Sequence, residues 1–174
     1  MNAADYWIKH LNLQPHPEGG YFREVYRSAG IIPASGLANY FGSRNFATSI
    51  YYLLRGDEFS SFHRLKSDEI WHYHDGCSLN LFIIVPDGAL LTKTLGKNME
   101  EGESLQQVIP ANHWFAAKPS DSESFSLAGC TMAPGFDFQD FELGSREMLV
   151  KEFPQHSEII RRLTTVASDN RTGK

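Results

Sequence analysis

His63 and Glu69 flank the short connection Lys66-Ser67-Asp68, and an imidazole beside a carboxylate is a pair that can move protons at neutral pH. The flanking runs 60–65 and 69–74 read as consecutive strands, so the connection can bring the two side chains together if the hairpin register allows it. Adjacent Tyr51 and Tyr52 must face opposite ways on a strand, which sends one phenol inward. Tyr52 is taken as the third catalytic candidate, as an acid or as a group that orients a ligand. Arg23 and Glu24 alternate in the same manner, so one of them enters a pocket, and Arg23 is the ligand-binding candidate. His72 and His74 share a strand face and could chelate or hold a ligand. Period-two alternation puts them opposite Glu69, in an intersheet or intersubunit layer unless a bulge intervenes. Trp71, Trp114 and Phe136 supply pocket walls or platforms for a sugar ring or planar ligand.

Other chemistries lack their residues. Gly19-Gly20 precedes a strand and not the helix N-terminus that a phosphate loop uses. Serine nucleophile elbows and Cys-x-x-Cys pairs are absent, and Cys77 and Cys130 read as two reduced thiols.

The elements that must position these groups are mostly short strands. Ala4, Trp7, Ile8 and Leu11 recur at helical spacing over residues 3–13, with Asn2 as cap. Pro17-Glu18-Gly19-Gly20 then reverses the chain into a strand over 21–27, and 31–44 reads as a loop. Strands are expected at 47–54, 60–65, 69–74, 79–85, 90–95, 104–109, 114–117, 124–130 and 136–143, with turns such as Asp75-Gly76 and Pro86-Asp87-Gly88 between them. A helical turn at 146–151 and a last helix from Pro154 to about 166 follow. Residues 1–167 make one domain, and 168–174 are expected to be a frayed, disordered tail.

With 174 residues, 41% of them hydrophobic, the chain can bury a sizeable core. A formal charge of −5 without any cluster of Lys and Arg argues against nucleic acid as a partner. No run approaches the roughly 20 apolar residues of a membrane span, and residues 1–13 lack the features of a secretory signal. A soluble, cytoplasmic protein with no membrane partner is the expectation.

His63-Arg64-Leu65, Glu69 and Gly76 resemble the first motif of the cupin superfamily, in which a His-x-His pair, a Glu and a closing Gly usually hold a metal. Leu65 stands at the second histidine position, and in the second motif Phe115 falls where a ligand histidine would be, with His113 out of register. The stretches His16-Pro17-Glu18-Gly19-Gly20-Tyr21-Phe22-Arg23-Glu24, Asp68-Glu69-Ile70-Trp71-His72 and Ala133-Pro134-Gly135-Phe136 are similar to a functionally uncharacterised, single-domain cupin-like branch. The resemblance implies an all-β fold with small terminal helices, a double-stranded β-helix or jelly-roll barrel, and a homodimer. With two of four metal ligands replaced, no metal or other cofactor is expected. The expected function is a metal-independent isomerase or epimerase acting on a sugar or nucleotide-sugar-like molecule. A non-catalytic metabolite-binding protein and a metal-dependent cupin with unusual ligands are the alternatives.

Overall fold

The computed structural model describes residues 3–165. The expected cap at Asn2, the end of the last helix at Val166 and the tail at 168–174 lie outside the described residues. Helix α1 (Ala3–His10) carries Asp5 in its first turn and Lys9 and His10 in its last, signs that complement the helix dipole. It stops short of the expected residue 13, because Asn12 turns left-handed at φ 51°.

Strands β1 (Gln14–Pro15) and β2 (Tyr21–Arg27) embrace the expected turn at 17–20, and β3 (Ile31–Ile32) pairs with β4 (Arg44–Asn45) inside the expected loop. The remaining strands are β5 (Thr48–Arg55), β6 (Ser60–Leu65), β7 (Glu69–Gly76), β8 (Leu79–Ile84), β9 (Leu90–Leu95), β10 (Gln106–Ile109), β11 (Trp114–Pro119), β12 (Phe125–Met132) and β13 (Phe141–Leu143). Helices α2 (Arg146–Glu152) and α3 (Ser157–Arg162) close the described chain.

Three sheets result: a six-stranded one in the order β1-β2-β5-β12-β7-β10, a five-stranded one in the order β13-β6-β11-β8-β9, and the β3-β4 pair. The two large sheets face each other across a core that includes Leu54, Trp71, Ile83, Phe115 and Cys130. Alternation gives the five-stranded sheet a second apolar face, where Phe62, Ile84, Trp114 and Ala116 pack against Leu149 of α2 and Ile160 of α3.

The expected all-β jelly-roll barrel is therefore corrected on two counts. Each large sheet has two open ends in its strand order and closes into no barrel. The C-terminal helices are not small decorations, since they pack on the outer face of the five-stranded sheet and complete a core of their own, giving a mixed α and β architecture.

The segment expected as a strand over 136–143 also differs. Asp137 accepts a hydrogen bond from the Gln139 backbone N–H at 2.9 Å and caps a 3₁₀ turn, Phe138–Asp140, so only β13 remains extended. Arg44 ties this turn down: Nε and Nη2 donate to the two Asp140 carboxylate oxygens at 2.6 and 2.8 Å, with both side chains buried.

Candidate functional site

A cavity of about 300 Å³ lies between the two large sheets, and the segment at 136–141 borders it. His63, Glu69, Tyr52, Trp71 and Phe136, five of the expected site residues, all line it. Its ionisable side chains begin at the turn at 17–20. Gly19 has φ 118°, and a β-carbon there would collide with the Phe59 carbonyl oxygen, so only glycine lets the turn lie against the start of β6. The Ser61 N–H donates to the Glu18 carbonyl at 2.8 Å, which docks the turn and sends the Glu18 side chain inward. There Oε1 accepts from Ser60 Oγ at 2.9 Å, and Oε2 lies 3.2 Å from His63 Nε2.

Strand alternation sends His63 into this space and Phe62 and Arg64 away from it. The residue is 1% exposed, and Nδ1 stands 2.7 Å from the Ser61 carbonyl oxygen. A carbonyl only accepts, so Nδ1 carries a proton and Nε2 is left to face Glu18. The partner of His63 is thus Glu18 and not the expected Glu69.

Glu69 opens β7 and is a different carboxyl. Burial, reinforced by the Glu18 charge, pushes its pKa up to about 8, against the opposing hydrogen bond that Trp71 Nε1 donates at 2.8 Å. Glu69 is therefore protonated at neutral pH. Tyr52 is the inward phenol of its pair: its O–H donates to the Gly19 carbonyl at 2.6 Å, and burial raises its pKa and keeps it un-ionised. Cys130, buried beside Glu69, is likewise raised by burial.

The other expected residues do not converge here. Arg23 pairs across to Tyr51, and its Nη1 donates to the Leu11 carbonyl at 2.9 Å on the outer side. Glu24 enters instead, and a bulge between Glu24 and Tyr26 resets the alternation so that Arg27 joins it at the cavity. His72 contacts Thr131 Oγ1 at 3.2 Å, and His74 is an exposed neighbour of Tyr51, so parity places both outside as expected. Trp114 belongs to the helix-covered core, under the Arg64 guanidinium at 4.5 Å from its ring centre.

Sequence reasoning missed His16 and Glu18 as site residues because proline and glycine dominate the reading of a turn. Their signal was present: a His-x-Glu pair held in a turn rigid enough to aim both side chains. Burial, opposed by Glu18 and reinforced by His63, holds the His16 pKa below its ordinary value. The Glu18 backbone N–H points at His16 Nδ1 at 3.3 Å, so the proton of the neutral ring sits on Nε2.

The match to the family described as Cupin superfamily (DUF985) spans residues 5–144. The chain belongs to the cupin superfamily. An uncharacterized protein of Saccharomyces cerevisiae is 32% identical over 143 residues, covering 76% of this chain and 71% of that one. A solved structure from Shewanella oneidensis is 41% identical, covers 95% of this chain and 99% of its own, and superposes with a TM-score of 0.84. A hypothetical protein from Leishmania major is 35% identical, covers 95% and 100%, and gives a TM-score of 0.86.

The metal common among cupins does not fit the residues of this one. Among the described residues no group of three or more His, Cys, Asp and Glu side chains converges as a ligand set. Leu65 lines the cavity without a donor atom, and Phe115 packs on the His63 ring with centroids 4.1 Å apart. Nor is any described helix of this cupin long and apolar enough to cross a membrane.

Proposed function

We propose that the protein is a small-molecule enzyme of the isomerase or epimerase type, whose chemistry is proton transfer within the cavity. One observation carries this reading: two buried carboxyl groups share the site in different environments. Glu18 is bound to His63 at 3.2 Å, while Glu69 is held protonated up to about pH 8. Environments that push two acids apart assign the roles of base and acid.

In this reading the His63–Glu18 pair takes a proton from a substrate carbon, and the Glu69 O–H returns one. Ser61 fixes the imidazole orientation, and Tyr52 holds the turn that carries Glu18. The pair then passes its extra proton back to Glu69 through solvent before the next turnover. Phe136 and Trp71 wall the site and limit water. Cytoplasmic location and homodimerisation, both drawn from the sequence, stand as further proposals. Exposed Tyr26, Ile31 and Phe46 offer apolar surface for a second copy.

The test is a thermal-shift screen of sugars, nucleotide sugars and organic acids, with and without divalent metals. Each stabilising compound is then incubated with the protein in D₂O and followed by NMR. Deuterium entering a substrate C–H position, and failing to enter with His63→Gln or Glu18→Gln, is the expected result. Stable binding with no exchange for any ligand would replace the enzyme by the metabolite-binding reading.

A further inference from the structure

We infer that the cavity selects an uncharged, ring-bearing molecule and turns away its phosphorylated or carboxylated counterparts, because every positive charge along its wall is already bound to a carboxylate. The inference deepens the proton-transfer reading by naming its substrate class, yet it stands on charge and shape alone.

Arg27 is the lone Lys or Arg among the described residues that line the cavity. Four of its five N–H groups are taken: Nε and Nη2 donate to the two Glu24 carboxylate oxygens at 2.9 and 2.7 Å, and Nη1 donates to Asn45 Oδ1 and the Phe136 carbonyl at 2.8 and 3.1 Å. Deeper in, His63 faces Glu18, and His16 has its free proton on a neutral ring. Glu69 adds a neutral carboxyl at pH 7, and the Asp137 carboxylate at the rim adds to the negative charge near Arg27. A phosphate or carboxylate entering this space would shed its hydration shell without gaining a cation. A nucleotide sugar, with its diphosphate, is the poorest fit among the ligands considered from sequence.

The walls favour a ring. His16 and Phe138 present planes within 22° of each other at a centroid separation of 6.4 Å, and Phe22 meets His16 edge-on at 4.6 Å. Phe138 is 57% exposed, so it can adjust to take up one face of an entering ring. The neutral His16 Nε2–H has no protein acceptor among the described residues and suits a hydroxyl or carbonyl oxygen on that ring.

Matched pairs test the selection by calorimetric titration of the intact protein: benzyl alcohol against benzoate, indole against indole-3-carboxylate, and glucose against glucose 6-phosphate. The neutral member of at least one pair should bind saturably, with its anionic partner about 10-fold weaker or worse. Glu24→Gln frees the Arg27 guanidinium and should raise the anion's affinity relative to its neutral partner by about 10-fold, the worth of a charge-assisted hydrogen bond. Equal or tighter binding of anions by the unaltered protein overturns the inference, as does failure of every neutral member to bind at millimolar concentration. An unchanged ratio in Glu24→Gln overturns the role given to the Glu24–Arg27 pair. These titrations read binding alone. A neutral ligand that binds but exchanges no deuterium sinks the proton-transfer reading and leaves the selection standing.

Discussion

The two faces of the five-stranded sheet are made by the same strands and do opposite things. On β6, Phe62 points to a dry layer filled by Leu149 and Ile160, while the next residue, His63, points to a cavity where it meets Glu18. On β11, Trp114 and Phe115 divide in the same way. The helix-covered face is packed with apolar side chains, whereas the face opposite the six-stranded sheet keeps about 300 Å³ open and places its ionisable groups around that space. The difference teaches that alternation sorts residues to two faces but does not decide which face stays empty. The second layer decides it: side chains of α2 and α3 fill one side, and the turn at 17–20 and the segment at 136–141 only rim the other.

The largest effect that separates the faces should come from His63→Gln. It removes the imidazole but keeps volume and hydrogen-bonding capacity, so deuterium exchange should fall by about 10²- to 10⁴-fold with the melting temperature little changed. Exchange at the unaltered rate would move the chemistry away from this cavity. Leu149→Ala should show the reverse pattern. It opens a hole in a fully buried layer and should cost about 2–5 kcal/mol in denaturant unfolding, while binding in the cavity persists. Loss of binding in a variant that still folds would show that the faces are coupled.

Glu69→Gln sharpens the contrast through pH. The folded chain holds this carboxyl at about 8 against an ordinary 4.5, so between those values the folded state keeps a proton that the unfolded state has shed. Stability from this group therefore falls as pH rises from 4.5 to about 8 and stays low above. The Gln variant should match the unaltered protein below pH 4.5 and exceed it above pH 8, by on the order of 1–3 kcal/mol. If Glu69 is the acid, exchange by the unaltered protein should also decline above pH 8 as its proton is lost. A stability difference independent of pH would remove the basis for that role. The smallest effect belongs to Glu142→Gln, which breaks the exposed 2.7 Å pair with Arg64 outside both layers. Thermal unfolding should register less than about 1 kcal/mol.

Much of this was legible along the chain. Turn residues at Pro86-Asp87-Gly88 separated real strands, because glycine and proline act through their own dihedral limits, whereas the expected turn at Asp75-Gly76 is the paired end of β7 itself. Period two alone placed Glu69 and Trp71 on the inner face and His72 and His74 on the outer one, which holds in β7. Alternation failed where the backbone departs from it: the bulge in β2 brings Arg27 to the face of Glu24, and Asp137 turns an expected strand into a 3₁₀ turn. The closed barrel was implied by the resemblance to cupins, and closure depends on hydrogen bonds between strands remote in sequence, which the strand orders do not make.

Local order, then, is written in short-range terms: propensity, turn chemistry and the face to which each strand residue belongs. The pairing of His63 with Glu18 across the chain, the raised Glu69 and the neutralised Arg27 were decided only when the sheets closed over one another. Each depends on which charges meet at a few ångströms in a space that excludes water, and distance and desolvation are properties of the packed chain rather than of any segment in it.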